Sequence, residues 1–137
     1  MKIVFIAGSH PRHQFIARAL FQTGYLSLII IEERENHLPR PNDDMDKDLS
    51  RLFRRHFQLR DDSESRHFGE KMWPDVPLIN IKVQDRNGEI VQQKLREISP
   101  DLMLTYGCHK LTDETLSCVE GEKWNIHGGL SPWYKGT

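Results

Sequence analysis

The chain has 137 residues, with 19 basic and 20 acidic side chains and a formal net charge of −1. That length suits one domain, because single domains cluster at about 100–150 residues. The charge balance argues against a protein that holds nucleic acid by bulk charge alone, and no apolar run approaches the roughly 20 residues needed to span a bilayer. The two cysteines, Cys108 and Cys118, fit neither a CxxC pattern nor a disulfide framework, which predicts reduced thiols in a cytoplasmic protein.

The first third of the chain alternates between strand and helix patterns. Residues 2–7 and residues 26–31 are apolar except for Lys2 and Ser27, a pattern typical of strands that are buried on both faces. Between them, residues 12–23 carry apolar side chains at helical spacing and end at Gly24. Strand, helix and strand in this order form the unit of a parallel α/β sheet.

Residues 32–71 differ in character, because 20 of these 40 residues are charged. Apolar and aromatic side chains still recur at helical spacing from Leu49 to Phe57, which predicts a helix. Asp61-Asp62-Ser63 predicts a break or a new N-cap after it, and Pro39–Asp44 predicts a loose loop before it. We interpret residues 34–72 as a charged helical insertion.

The alternation resumes near residue 77. The pattern predicts strands over residues 78–82, 102–106 and 123–127, a helix over Glu89–Ile98 and a short helix capped by Thr112 or Asp113. The whole chain, residues 1–137, is therefore predicted to be one α/β domain with an open, mostly parallel, twisted sheet of about five strands. Ligands of such sheets bind beyond the C-terminal ends of the strands. The candidate loops are residues 8–13, 107–111 and 128–136.

The end of the last predicted strand carries two polar side chains with useful chemistry. Asn125 and His127 are two residues apart, so they face the same side of a strand while Ile126 faces the core. An amide NH₂ beside an imidazole is a donor pair suited to a developing oxyanion, and the imidazole can also serve as a general acid. Gly128 and Gly129 permit a close backbone turn next to the pair. Taken alone, Asn-x-His is more often an ordinary strand end than a catalytic site.

The longer string from Asn125 to Gly136, NIHGGLSPWYKG, resembles the signature of the folate-dependent formyltransferases. That family's pattern is Asn-Ile-His, two small residues, Leu, a variable position, Pro, and a close of aromatic, basic and Gly residues. Ser99-Pro100-Asp101, followed by a strand and Gly107, is also similar to the family's segment just before the signature. The family includes glycinamide ribonucleotide, methionyl-tRNA and sugar N-formyltransferases. The resemblance implies a Rossmann-like formyltransferase fold, here truncated at its C-terminus.

The resemblance also implies an activity and roles for residues. The family transfers a formyl group from N10-formyltetrahydrofolate to a primary amine, so Asn125 and His127 are implied to stabilise the tetrahedral oxyanion, with His127 also engaged in proton transfer. The implied folate-binding residues are Tyr106, Gly107, Cys108, His109, Lys110 and Leu111. The implied acceptor-binding residues are Gly8, Ser9, His10, Arg12, His13, Gly128 and Gly129. No metal is expected, because the seven histidines show no paired spacing.

One departure from the family pattern is serious. The family's third catalytic residue is an Asp a few dozen residues beyond the His, and this chain ends ten residues beyond His127. We interpret the chain as the N-terminal portion of a longer protein and expect little or no turnover from it alone. The other interpretation is a shortened relative that cannot run the full reaction.

Several alternatives stay open at this level. The chain could be a non-catalytic module that binds folate or a nucleotide in the same cleft. It could also be a fragment of a Rossmann-type oxidoreductase, with Glu32 or Glu33 on a ribose, although residues 8–13 lack two glycines of GxGxxG. A helix that begins at Pro11, beside Arg12, could hold a phosphate of the acceptor. Cys108 beside His109 is a weak candidate for a thiol nucleophile.

The class of acceptor is only partly constrained. The resemblance leaves an amine on a nucleotide-sugar, a small phosphorylated amine or an aminoacyl-tRNA. The near-neutral net charge disfavours tRNA, because tRNA binders usually present a basic face.

Overall fold

The computed structural model describes residues 1–33, 39–69 and 72–129. Nine helices and strands follow one another in these parts of the chain, with a 3₁₀ turn at Val83–Asp85. In chain order they are β1 Ile3–Ala7, α1 Pro11–Gln22, β2 Leu26–Glu33, α2 Lys47–Phe68, β3 Leu78–Lys82, α3 Glu89–Ile98, β4 Leu102–Tyr106, α4 Asp113–Ser117 and β5 Glu122–Ile126.

The five strands form one parallel sheet with the order β3-β2-β1-β4-β5. This confirms the predicted α/β class, and every predicted strand lies within two residues of its observed bounds. β1 is the central strand, and all five of its side chains are buried. The chain first builds outward from β1 through β2 to β3 and then returns to the other side of β1 with β4. The connections that follow β1 and β4 therefore lead to opposite faces of the sheet, which leaves a crevice between these two strands. Open sheets bind their ligands at such a position.

Two apolar layers cover the sheet. One face packs against α1, through Ala17 and the half-buried Ile16 and Leu20. The opposite face packs against α3, through Val91 and Leu95, and against Val119, which follows α4. Strand residues alternate between the two layers, as a pleated strand buried on both sides requires.

Helix α2 differs from its prediction at residues 61–63. It runs without a break through residues 61–63, because a hydrogen bond from Gln58 to Asp62, 3.1 Å long, and an ion pair of Arg60 with Glu64 link successive turns. The predicted break there is wrong. Its apolar side chains are only partly covered by the described residues, since Leu52 is 58% exposed whereas Phe53 and Phe57 are half-buried. None of the helices in the described ranges is both long enough and apolar enough to cross a membrane.

The C-terminal half of α2 attaches the helix to α1. The rings of Phe15 and Phe68 lie 5.5 Å apart, and Arg18 donates a 2.6 Å hydrogen bond to the carbonyl oxygen of Phe68. Arg12 forms an ion pair with Glu64. The charged insertion therefore docks on the helix that follows β1, and its Arg12–Glu64 ion pair lies at the start of that helix, next to the C-terminal end of β1.

Gly121, immediately before β5, tests how closely the start of β5 packs against the start of β4. A Cβ at this position would lie 2.3 Å from the carbonyl oxygen of Asp101, which accepts a hydrogen bond from the Glu122 amide. We expect Gly121→Ala to lower the free energy of unfolding by about 1–3 kcal/mol, because backbone rather than a flexible side chain must move.

Gly128→Ala is the matched control for this change. Apart from its two neighbours in the chain, no described residue has an atom within 4 Å of a Cβ built at Gly128. Denaturant unfolding should show a clear decrease in the free energy of unfolding for Gly121→Ala and little change for Gly128→Ala. Equal stability of Gly121→Ala and the wild type would contradict the packing of β5 against the start of β4.

Candidate functional site

The loops after β1 and β4 meet at the C-terminal edge of the sheet. The Gly8 amide donates to the carbonyl oxygen of Tyr106 over 3.3 Å. Two of the three predicted loops are thereby brought into contact at the point where the strand order reverses. This is the position that the sheet topology favours for a ligand.

His13 occupies the space between these two loops. It is fully buried, its ring lies edge-on to Tyr106 at 4.6 Å, and its Nδ1 accepts a 3.2 Å hydrogen bond from the His10 amide. A Cβ at Gly8 would lie 2.9 Å from Cε1 of His13, and one at Gly107 would lie 2.5 Å from Nε2. Gly107 also has φ +64, a conformation that glycine adopts without strain. Both glycines are needed for this packing.

The predicted acceptor loop is therefore largely internal. His10 and His13 are buried, and the partly exposed side chains of this loop are Ser9 and Arg12. The Arg12 guanidinium pairs with Glu64 and lies 5.9 Å from the Tyr106 ring centroid. A phosphate bound at the start of α1 would have to compete with the Glu64 carboxylate for this arginine.

A cavity of about 340 Å³ opens on the α3 and α4 face of the sheet, beside β4 and β5. Its lining residues come from β4, from the loop after it, from α4 and from β5. They are Met103, Thr105, Cys108, His109, Lys110, Leu111, Leu116, Lys123, Trp124 and Asn125. Four of the six predicted folate-binding residues are among them, and Tyr106 and Gly107 are not. Lysines contribute the formal charge, and none of the described lining residues is acidic.

Asn125 reaches this cavity because of the register between the last two strands. Thr105 on β4 pairs with Asn125 on β5, so their side chains share one face of the sheet. The Thr105 hydroxyl donates a 2.9 Å hydrogen bond to Oδ1 of Asn125. This bond orients the amide, and within the described chain its Nδ2 group remains available to a ligand.

His127 is not among the residues that line the cavity. Strand β5 ends at Ile126, and the exposed imidazole turns onto its own loop, with Nδ1 2.9 Å from the carbonyl oxygen of Gly129 and 3.1 Å from its amide nitrogen. Gly128 and Gly129 belong to this turn. The structure thus places Asn125 in the cavity and His127 on the adjacent turn. The remainder of the signature, residues 130–136, lies outside the described residues.

Glu32 is a site residue whose role the sequence analysis missed. Its side chain has no exposed surface, and its Oε1 lies 2.6 Å from Nδ1 of His109. The backbone amide of His109 lies 3.2 Å from Oε2 of the same carboxylate. The sequence shows an acid at the end of β2, where dinucleotide-binding proteins hold a ribose, but no local pattern pairs it with His109. Its carboxylate instead binds His109 in the loop after β4, residues 107–112, which we call the cavity loop. This removes Glu32 as a ribose ligand and leaves the exposed Glu33 as the remaining candidate.

The other end of this loop is held by the segment before α3. Arg86 Nε donates to the carbonyl oxygen of Lys110 over 3.0 Å. The Asn87 side chain accepts from the amide of Thr112 over 2.9 Å. Residues 107–112 are therefore tied to β2 on one side and to the β3–α3 connection on the other.

No protein-family model matches the chain. The described residues contain no group of three or more histidine, cysteine, aspartate or glutamate side chains placed to hold a metal ion.

The buried Glu32 carboxylate leads to a stability prediction. We expect Glu32→Gln to lower the free energy of unfolding by about 1–3 kcal/mol, because a neutral amide oxygen is a weaker acceptor than a carboxylate and the new NH₂ group would face the His109 amide where Oε2 now accepts. Glu33→Gln, at the exposed neighbouring position, should change it little. Urea unfolding of the three proteins measures the difference, and equal losses in both variants would contradict the specific role of the Glu32 carboxylate.

Proposed function

We propose that this chain carries the formyl-transfer part of an enzyme that moves a formyl group from N10-formyltetrahydrofolate to a primary amine. The observation that carries the proposal is the oriented amide of Asn125. It lies in the cavity beside the β4 loop and begins the string that resembles the formyltransferase signature.

The chemistry needs a donor for a developing negative charge. When the amine attacks the formyl carbon, the carbonyl oxygen becomes an oxyanion, and a preoriented N–H donor stabilises it more in the transition state than in the ground state. Nδ2 of Asn125 is such a donor. Lys110 and Lys123 add positive charge to the lining, which favours an anionic intermediate and an anionic ligand.

The cavity also offers apolar surface for a heterocycle. Met103, Leu111 and Leu116 line it, and Trp124 is 60% exposed on the adjacent strand. Ligand sites usually combine apolar walls with a few convergent polar groups. A folate ring system with an acidic tail suits that combination, with the ring against the apolar wall and the carboxylates toward the lysines.

The acceptor, in this proposal, is a small amine rather than a large nucleic acid. The near-neutral net charge supports a nucleotide-sugar or a small phosphorylated amine over an aminoacyl-tRNA. We also propose a cytoplasmic location, because the two cysteines of the sequence fit no disulfide framework.

A second candidate function is a non-catalytic module that binds folate or a nucleotide. The position of His127 favours it, because the imidazole implied to act with Asn125 is turned onto Gly129 and not into the cavity. The two functions differ in whether a bound formyl group is transferred.

A single-turnover assay distinguishes the two. The chain, in excess over N10-formyltetrahydrofolate, is mixed with a panel of amine acceptors, and the formylated product is followed by mass spectrometry. We expect slow transfer that Asn125→Ala slows further by about 10²–10³-fold, because one oxyanion donor is lost.

Asn80→Ala, on the exposed face of β3 at the far side of the sheet, is the matched control and should transfer as the wild type does. Folate binding without transfer would support the binding module instead. Transfer that Asn125→Ala leaves unchanged would contradict the role given to its amide.

The hydroxyl of Thr105 supplies an independent check on amide orientation. Thr105→Val keeps the shape of the side chain but removes the donor to Oδ1 of Asn125, so the amide loses its fixed orientation. We expect the rate of formyl transfer to fall by about tenfold in Thr105→Val, a smaller loss than removal of the oxyanion donor itself causes. Thr105→Ser should retain the wild-type rate, because it keeps the hydroxyl. Equal rates in the two variants would show that this hydrogen bond does not position the donor.

A further inference from the structure

The contact between Glu32 and His109 joins a buried charge to the wall of the cavity. Glu32 is fully buried at the end of β2, whereas the side chain of His109 is 49% exposed and lines the same cavity as Asn125. The two residues are 77 positions apart in sequence. Their pairing is therefore a product of the fold and not of a local motif.

The geometry selects one form of the neutral imidazole. Nδ1 of His109 lies 2.6 Å from a carboxylate oxygen, which can only accept a hydrogen bond when ionised, so Nδ1 carries the hydrogen. The remaining ring nitrogen, Nε2, then has a free lone pair. A carboxylate that fixes the tautomer and orientation of a histidine in this way is the usual support for a histidine that accepts protons.

The proposed reaction requires such an acceptor. An amine that has attacked the formyl carbon carries an extra proton that must leave, and N10 of the folate must gain a proton as it departs. The described lining residues of the cavity include no carboxylate that could take this proton directly. His109 is the imidazole among them.

We propose, on the basis of the formyl-transfer function above, that His109 is the proton acceptor of the cavity and that Glu32 is its positioning residue. Nε2 takes the proton from the attacking nitrogen as the C–N bond forms. The protonated imidazole then returns a proton to N10 as the C–N10 bond breaks. The products are the formamide and tetrahydrofolate, and no proton is gained or lost overall.

If the contact with Glu32 were purely structural, residue 109 would need only a hydrogen-bond donor in its side chain and no basic nitrogen. The backbone amide of His109 already ties the loop to Glu32, and a glutamine side chain could donate to the carboxylate as Nδ1 does. His109→Gln therefore preserves a donor for Glu32 while removing the basic nitrogen. This variant separates a proton acceptor from a loop anchor.

The first measurement is the imidazole tautomer in the wild-type chain. Long-range proton–nitrogen NMR spectra, recorded at mildly alkaline pH, distinguish a protonated Nδ1 from a protonated Nε2 in each histidine. We expect His109 to carry its hydrogen on Nδ1. A hydrogen on Nε2 would overturn the proposal, whatever the outcome of the formyl-transfer assays.

The second measurement uses p-nitrophenyl formate, an activated formyl donor that does not require folate. In this reaction water attacks the formyl carbon and gives a proton to Nε2, p-nitrophenolate leaves, and formate is the other product. We expect the chain to accelerate release of p-nitrophenolate above a buffer blank, and His109→Gln to lose about tenfold or more of that acceleration while keeping its unfolding midpoint.

His67→Gln is the matched control, because His67 is an exposed histidine on α2, away from the cavity. It should retain the wild-type rate. An unchanged rate in His109→Gln, or no acceleration by the wild type, would overturn the proposal. Failure of folate binding alongside a normal His109-dependent rate would instead count against the proposed function and leave the proton acceptor standing.

Discussion

The structure depends on a central strand that is buried on both faces and hydrogen-bonded on both edges. All side chains of β1 are inaccessible, and β2 and β4 run parallel to it on either side. A parallel neighbour can be reached only through a crossover that covers a face of the sheet, so α1 on one side and α3 with α4 on the other follow from this placement. The same constraint brings the loops after β1 and β4 to one edge. The contact of Gly8 with Tyr106 and the packing of His13 between the loops are local consequences.

A second constraint acts on the cavity loop. Burying a carboxylate without hydrogen-bond donors would strongly destabilise the fold. Glu32 avoids this cost because His109 supplies two donors, its backbone amide and Nδ1. The loop that supplies those donors also supplies one wall of the cavity. Stability and site geometry are therefore coupled at His109, and a change at Glu32 is expected to affect both. On the other side of the cavity, the hydrogen bond from Thr105 to Asn125 orients the Asn125 amide on the face formed by β4 and β5.

Much of this fold was predictable from local patterns. The apolar runs of β1 and β2 and the helical spacing in Glu89–Ile98 identify their elements because burial on a sheet or helix imposes those periods. The pairing of Thr105 with Asn125 was not predicted, although both strands were, because strand register depends on packing between elements. Asp61-Asp62-Ser63 resembles a helix start in sequence, yet contacts along α2 and against α1 extend the helix through it. The partnership of Glu32 with His109 spans 77 residues and had no local signal. The inward packing of His10 and His13 likewise depends on the neighbouring β4 loop.

The central claim is that the cavity beside β4 and β5 binds a folate and that Asn125 faces the bound formyl group. Chemical-shift perturbation with 5-formyltetrahydrofolate, a stable formylated folate, tests the location directly. The account predicts saturable shifts concentrated at the amides of Thr105, His109, Lys110 and Asn125, including the Asn125 side-chain NH₂, with the exposed N-terminal half of α2 unaffected. Saturating ligand that leaves these resonances unmoved, or that shifts those of α2 instead, would contradict it.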